Sequence, residues 1–104
     1  MLTIFCLARQ VTHGSDNAYI FAHPENDRPG DAALARFMMR AWVAFVADLD
    51  PNKHSLEGEP TWPKYSSANA TNMVLRRQGR SLESDTFRKE GIAYINTIAG
   101  QMNK

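Results

Sequence analysis

The amino-acid sequence predicts an α/β unit that is mostly helical, with two main helices and a few short strands. Three observations point there. Residues 31–48 are apolar at helical spacing after the helix-starting Asp31, and the pattern stops before Pro51. Residues 84–101 repeat such a stripe, and residues 72–76 form a short apolar run ahead of the turn formers Gln78 and Gly79. With 104 residues and 43% hydrophobic content, the chain has room for one domain, residues 1–104, that buries roughly 60–70% of the surface of its unfolded form.

Taken in order, Met1 to Ala8 is apolar and contains Ile4 and Phe5, which reads as a buried strand. It lacks the basic leader of a signal peptide and falls far below the ~20 apolar residues of a membrane-spanning helix. Cys6 is the only cysteine, so an internal disulfide is excluded, and it is expected to pack as a small hydrophobe. Localisation stays open. Val11 to Asn17 is a polar turn around His13 and Gly14, and Ala18 to Ala22 suits a buried turn or strand. His23 to Gly30 holds the breakers Pro24, Asn26, Asp27, Pro29 and Gly30, and so reads as loop.

Asp31 offers an N-cap to a helix over Asp31–Asp48 of about five turns. Leu34, Met38, Ala41, Phe45 and Leu49 mark its main stripe, yet Phe37, Trp42, Val43 and Val46 cover much of the remaining circumference. A helix apolar nearly all round is a buried helix, and a chain this short has few elements to cover it. A missing partner or a missing domain over residues 31–48 is expected. Pro51 stops the helix, and Asn52 to Pro60 reads as a polar loop. Trp62 and Tyr65 are expected to pack back on the helix, and Asn72 to Arg76 is a strand that a turn at 77–80 returns toward an equally short neighbour. The last helix is expected from Ser84 to Gln101, with Ser84 or Ser81 as N-cap and Asp85 in its first turn. Phe87, Gly91, Tyr94 or Ile95, Ile98 and Met102 form its stripe, with Gly91 marking a close backbone approach.

Formal net charge is +1 with the signs interspersed, which argues against a nucleic-acid partner or an anionic membrane surface. Arg76, Arg77 and Arg80 are expected to be a solvated strand end and turn. His13, Asp16, His23, Glu25 and Asp27 invite a metal-site reading, but their spacing fits no zinc signature. No metal or other cofactor is expected. Ser15 is a turn residue, since neighbours in sequence rarely meet at attack geometry. His54 is expected to be solvated, Trp42, Trp62, Met38 and Met39 to be core, and Asn69 heads the glycosylation sequon Asn69-Ala70-Thr71.

The order of motifs resembles a known family. Thr12-His13-Gly14-Ser15-Asp16 with Tyr19-Ile20-Phe21 is similar to the HG-x-[ED] stretch and aromatic-rich turn of type-B carboxylesterases, which include fungal lipases and cholinesterases. Trp42 to Phe45, Asp50-Pro51-Asn52 and Trp62-Pro63-Lys64-Tyr65 resemble that family's W-x-x-F, D-P-N and W-P-x-[YF], in the same order. Asp85 to Asn96 resembles the closing helix of fungal members. Leu49 departs from the pattern, standing where many relatives carry glycine, and residues 1–10 match least.

The resemblance implies a serine hydrolase of the α/β-hydrolase fold, with this chain its C-terminal segment. In that fold the order is serine, acid, histidine, with the serine in a G-x-S-x-G elbow. No such pentapeptide occurs here. By resemblance His13 is the general base, Gly14 lets the backbone turn beside it, and Asp16 supports it. Nucleophile, triad acid and oxyanion hole lie elsewhere, so the isolated chain is expected to be inactive and to meet an ester substrate only in the complete enzyme. The other readings are an esterase-like binding or adhesion module without the nucleophile, and an inactive truncated product.

Overall fold

The computed structural model describes residues 13–23 and 28–102. The strand expected over residues 1–8, with Cys6, and the loop positions 24–27 lie outside them. In chain order the elements are a short helix α1 (Asn17–Ile20), a long helix α2 (Asp31–Asp48), a 3-10 helix (Pro51–His54), strands β1 (Thr71–Arg76) and β2 (Gly79–Ser84), and a helix α3 (Lys89–Met102). The apolar run after His13 therefore begins as one helical turn and is not a strand. Its Tyr19 and Ile20 pack against the core while Phe21 is exposed.

Helix α2 has the expected bounds, but both of its ends and its buried face differ in detail. The N-cap is Gly30, with φ 88°, and its side-chain-free backbone meets the hairpin turn closely: a Cβ there would lie 2.3 Å from the Arg77 carbonyl oxygen. Asp31 is consequently the first helical residue rather than the cap, and its side chain is fully buried. At the other end Leu49 takes the left-handed conformation, φ 57°, and its N–H donates to Phe45 O at 2.8 Å. Leucine thus makes the turn that glycine makes more cheaply, at a strain of about 1–2 kcal/mol.

The buried face comprises Leu34, Ala35, Phe37, Met38, Ala41 and Ala44. It is rotated from the expected stripe, since Phe45 and Leu49 are exposed and Phe37 is fully buried. The reason lies in the covering segment: Trp62 stacks on Phe37 with ring centroids 6.3 Å apart, and His54 meets the same ring edge-on at 5.3 Å. Trp42 sits at the rim of this cluster, 6.0 Å from Trp62, and is partly exposed. Val43, Phe45, Val46 and Leu49 remain uncovered among the described residues.

The polar stretch after α2 is more ordered than a featureless loop. Asp50 caps the 3-10 helix by accepting from Asn52 N at 2.9 Å, and Pro51 holds its first position. The Asn52 amide then clasps the backbone of Trp62 twice, donating to its carbonyl at 2.9 Å and accepting from its N–H at 2.6 Å. Strands β1 and β2 pair antiparallel from Thr71↔Ser84 to Arg76↔Gly79, joined by Arg77 and Gln78. Met73 and Leu75 lean on the Leu34, Phe37 and Met38 cluster. Arg80 pairs with Glu59 and lies over the Phe37 ring at 5.7 Å, so of the three arginines only Arg76 is exposed.

Helix α3 starts five residues later than the serine caps predict. Ser81 and Ser84 are taken into β2 by cross-strand pairing, and Asp85 is engaged by Tyr65 and Asn72 instead of the helix. No residue of α3 is buried, and Phe87, Ile92, Tyr94, Ile95 and Met102 are exposed. Nothing lies within 4 Å of a Cβ built on Gly91, so the expected close approach is absent among the described residues.

Candidate active site

His13 opens a tight turn whose geometry follows from its neighbours. Gly14 adopts φ 79°, a conformation that costs glycine little, and its carbonyl accepts from Asn17 N at 3.1 Å. Asp16 O accepts from both Tyr19 N and Ile20 N at 3.0 Å, which starts α1. The Asp16 carboxylate makes no capping bond. His13, Gly14, Ser15 and Asp16 are all exposed. Among the described residues no serine or carboxylate is hydrogen-bonded to the His13 imidazole, and the residue is exposed.

The stem of this turn is held from below. Tyr19 Oη donates to Asp31 Oδ1 at 3.0 Å, Arg28 N donates to Asp31 Oδ2 at 2.9 Å, and Arg77 Nε donates to Asp31 Oδ1. Arg77, expected to be solvated, is thus the counter-ion of a buried carboxylate. The Asp31 carboxylate, then the Tyr19 hydroxyl, hold the Arg77 guanidinium above its ordinary pKa, against the opposing effect of burial. Sequence reasoning missed this cluster because its members are 12 and 46 residues from Asp31.

The remaining histidines divide. His23 is exposed beside its backbone bond to Ala18 O at 2.8 Å. His54 is half-buried against Phe37, and its Nδ1 accepts from Leu56 N at 2.9 Å, so it is structural rather than solvated. Among the described residues no group of three His, Cys, Asp or Glu side chains is arranged to hold a metal ion, and no helix is long and apolar enough to cross a membrane. Asn69 lies exposed in a turn with Ser66, and its amide oxygen accepts from the Thr71 hydroxyl at 2.9 Å.

An open groove of about 570 Å³ runs between Trp62, Pro63, Tyr65 and strand β1, away from His13. Tyr65 does not pack on α2 as expected; its hydroxyl donates to Asp85 at 2.7 Å, and Asn72 donates to the same carboxylate at 3.1 Å. The bond from Tyr65, then that from Asn72, holds Asp85 below the usual carboxylate range, and the tyrosine is raised chiefly by the same contact. A depressed carboxyl stabilises the fold above its unfolded pKa and loses that contribution as pH falls through the folded value. The raised tyrosine contributes below its unfolded pKa and loses its part as pH rises through the folded one. The contact is therefore strongest between about pH 4 and about pH 10. In Tyr65→Phe the Asp85 pKa read by NMR titration is expected to rise toward its ordinary value; an unchanged value excludes the contact in solution.

The family model described as the carboxylesterase family matches residues 7–93 of this 104-residue chain. The chain belongs to the carboxylesterase family. No curated protein matches it. Carboxylesterase membership implies the α/β-hydrolase fold and ester hydrolysis at the level of the family, and the helices and antiparallel hairpin are consistent with part of such a fold. The matched stretch includes the His13 turn, the Asp31–Arg77 cluster and the Asn52–Trp62 clasp.

Proposed function

We propose that this carboxylesterase chain is the C-terminal segment of a serine ester hydrolase and supplies its general base, His13. The observation that carries the reading is the outward-facing His13-Gly14-Ser15-Asp16 turn inside a stretch matched by the carboxylesterase family. In such a site a serine hydroxyl attacks the ester carbonyl while the imidazole takes its proton, then returns it to the leaving alcohol. An exposed imidazole suits both steps, since its ring nitrogen accepts a proton in the first and gives it back in the second. Gly14 supplies the sharp turn beside it, and Asp16 supports the loop. The serine in its elbow, the triad acid and the oxyanion donors belong to the N-terminal part of that hydrolase.

Two physical features support a missing cover. Val43, Phe45, Val46 and Leu49 leave the outer face of α2 apolar and exposed. The Cα radius of gyration is 17.1 Å, against about 13 Å for a compact domain of this length. The test is hydrolysis of a short-chain nitrophenyl ester. The chain alone is expected to give no turnover, and mixing it with the polypeptide bearing the G-x-S-x-G elbow is expected to give turnover that His13→Ala abolishes. Turnover that survives His13→Ala rejects the general-base role, and a chain that sediments alone as a compact monomer without binding a hydrophobic dye rejects the missing cover.

A further inference from the structure

A fully buried carboxylate is costly unless it is paired and hydrogen-bonded, and an apolar side chain of similar volume usually stabilises a core at least as well. Asp31 is 0% exposed and carries three donors from three separate places: Arg28 N just before α2, Tyr19 Oη on α1 and Arg77 Nε in the hairpin turn. Arg77 also reaches Tyr19 Oη through Nη2 at 3.4 Å, which closes the cluster. Gly30 lets the turn come this near, since a Cβ there would also lie 2.9 Å from Arg77 Cγ. The best-attested use of a buried ionic group is to fix one geometry.

The element fixed here is the stem of the His13 turn. Helix α1 has only four residues, Asn17–Ile20, too few to persist by its own backbone bonds. Tyr19 ties it to the body through the Asp31 carboxylate, and Ile20 adds apolar packing. A base that must meet a hydroxyl supplied by another segment needs its position held to within about 0.5 Å. We infer that Asp31, Arg77 and Tyr19 form a positioning cluster that holds the His13 turn in register for proton transfer. This rests on the reading of His13 as general base.

The discriminating variant is Tyr19→Phe, which removes one hydroxyl and leaves Asp31 paired with Arg77 and Arg28. Amide hydrogen exchange of the full chain reads it locally. Phe21, Ala22 and His23 donate to Asn17 O, Tyr19 O and Ala18 O, and their exchange is expected to rise about tenfold or more, while that of Ala41 and Ala44 in α2 changes less than about twofold. Arg77→Lys, which keeps a cation beside Asp31 without the guanidinium fork, is expected to fall between wild type and Tyr19→Phe. In the assembled hydrolase Tyr19→Phe is expected to lower kcat about tenfold or more with KM unchanged. Unchanged exchange at residues 21–23, an equal rise throughout α2, or a rise in KM alone overturns the inference. Because exchange needs no substrate, its failure leaves the assignment of His13 standing, and that assignment is judged separately by His13→Ala in the hydrolysis assay.

Discussion

Phe37→Ala is expected to lower the stability of the fold by about 3–5 kcal/mol, the range for truncating a buried phenylalanine. Phe37 is 0% exposed and is the ring about which the core is organised. Trp62 stacks on it with planes 16° apart, His54 meets its edge at 61°, and the Arg80 guanidinium lies 5.7 Å from its centroid. Removing it opens a cavity between α2 and the Trp62 segment, and also strips the aromatic face from Arg80 and His54. Small domains have only about 5–15 kcal/mol in total, so the loss takes a large share. Urea unfolding followed by tryptophan fluorescence measures it, with Phe37→Leu as the volume-sparing control expected to cost less than about 2 kcal/mol. A Phe37→Ala loss under about 1 kcal/mol means that the Trp62 segment does not rest on this ring.

Some of this architecture was legible in the sequence. The bounds of α2 follow from its apolar periodicity and from Pro51, and β1 with its turn follows from a short apolar run followed by the turn formers Gln78 and Gly79. These are local signals. What was not legible depends on partners distant in sequence. Asp31 reads as an N-cap because Asp before an apolar stripe usually is one; its real partners, Tyr19 and Arg77, are brought by the fold. Ser81 and Ser84 carry the local chemistry of helix caps, yet pairing with Val74 and Thr71 draws them into β2, where tertiary context overrides local preference. The candidate site divides the same way: the His13 turn is a contiguous string, whereas the cluster beneath its stem is assembled from three separate stretches of chain.

Asn52→Ala is expected to cost about 2 kcal/mol and to loosen Trp62 from Phe37. The side-chain amide holds an NH2 donor group and an acceptor oxygen in one plane, and the Trp62 backbone engages each once, at 2.9 Å and 2.6 Å. Alanine leaves the Trp62 N–H and C=O without these partners in a half-buried place. Each such group costs about 1–3 kcal/mol when fully buried, and less where water reaches it. Asn52→Asp separates the two bonds, because a carboxylate still accepts from Trp62 N but turns an acceptor toward the Trp62 carbonyl. It is expected to destabilise at least as much as alanine, despite its equal size. Tryptophan emission should shift to the red in both variants as Trp62 leaves the Phe37 face, while far-ultraviolet circular dichroism keeps its helical signal from α2. An unshifted spectrum with a loss below about 0.5 kcal/mol would falsify the clasp, leaving the stacking on Phe37 alone to hold the segment. The side chain that closes D-P-N is thus the one that fastens W-P-x-Y to the end of α2, which gives the order of those two motifs a physical reason.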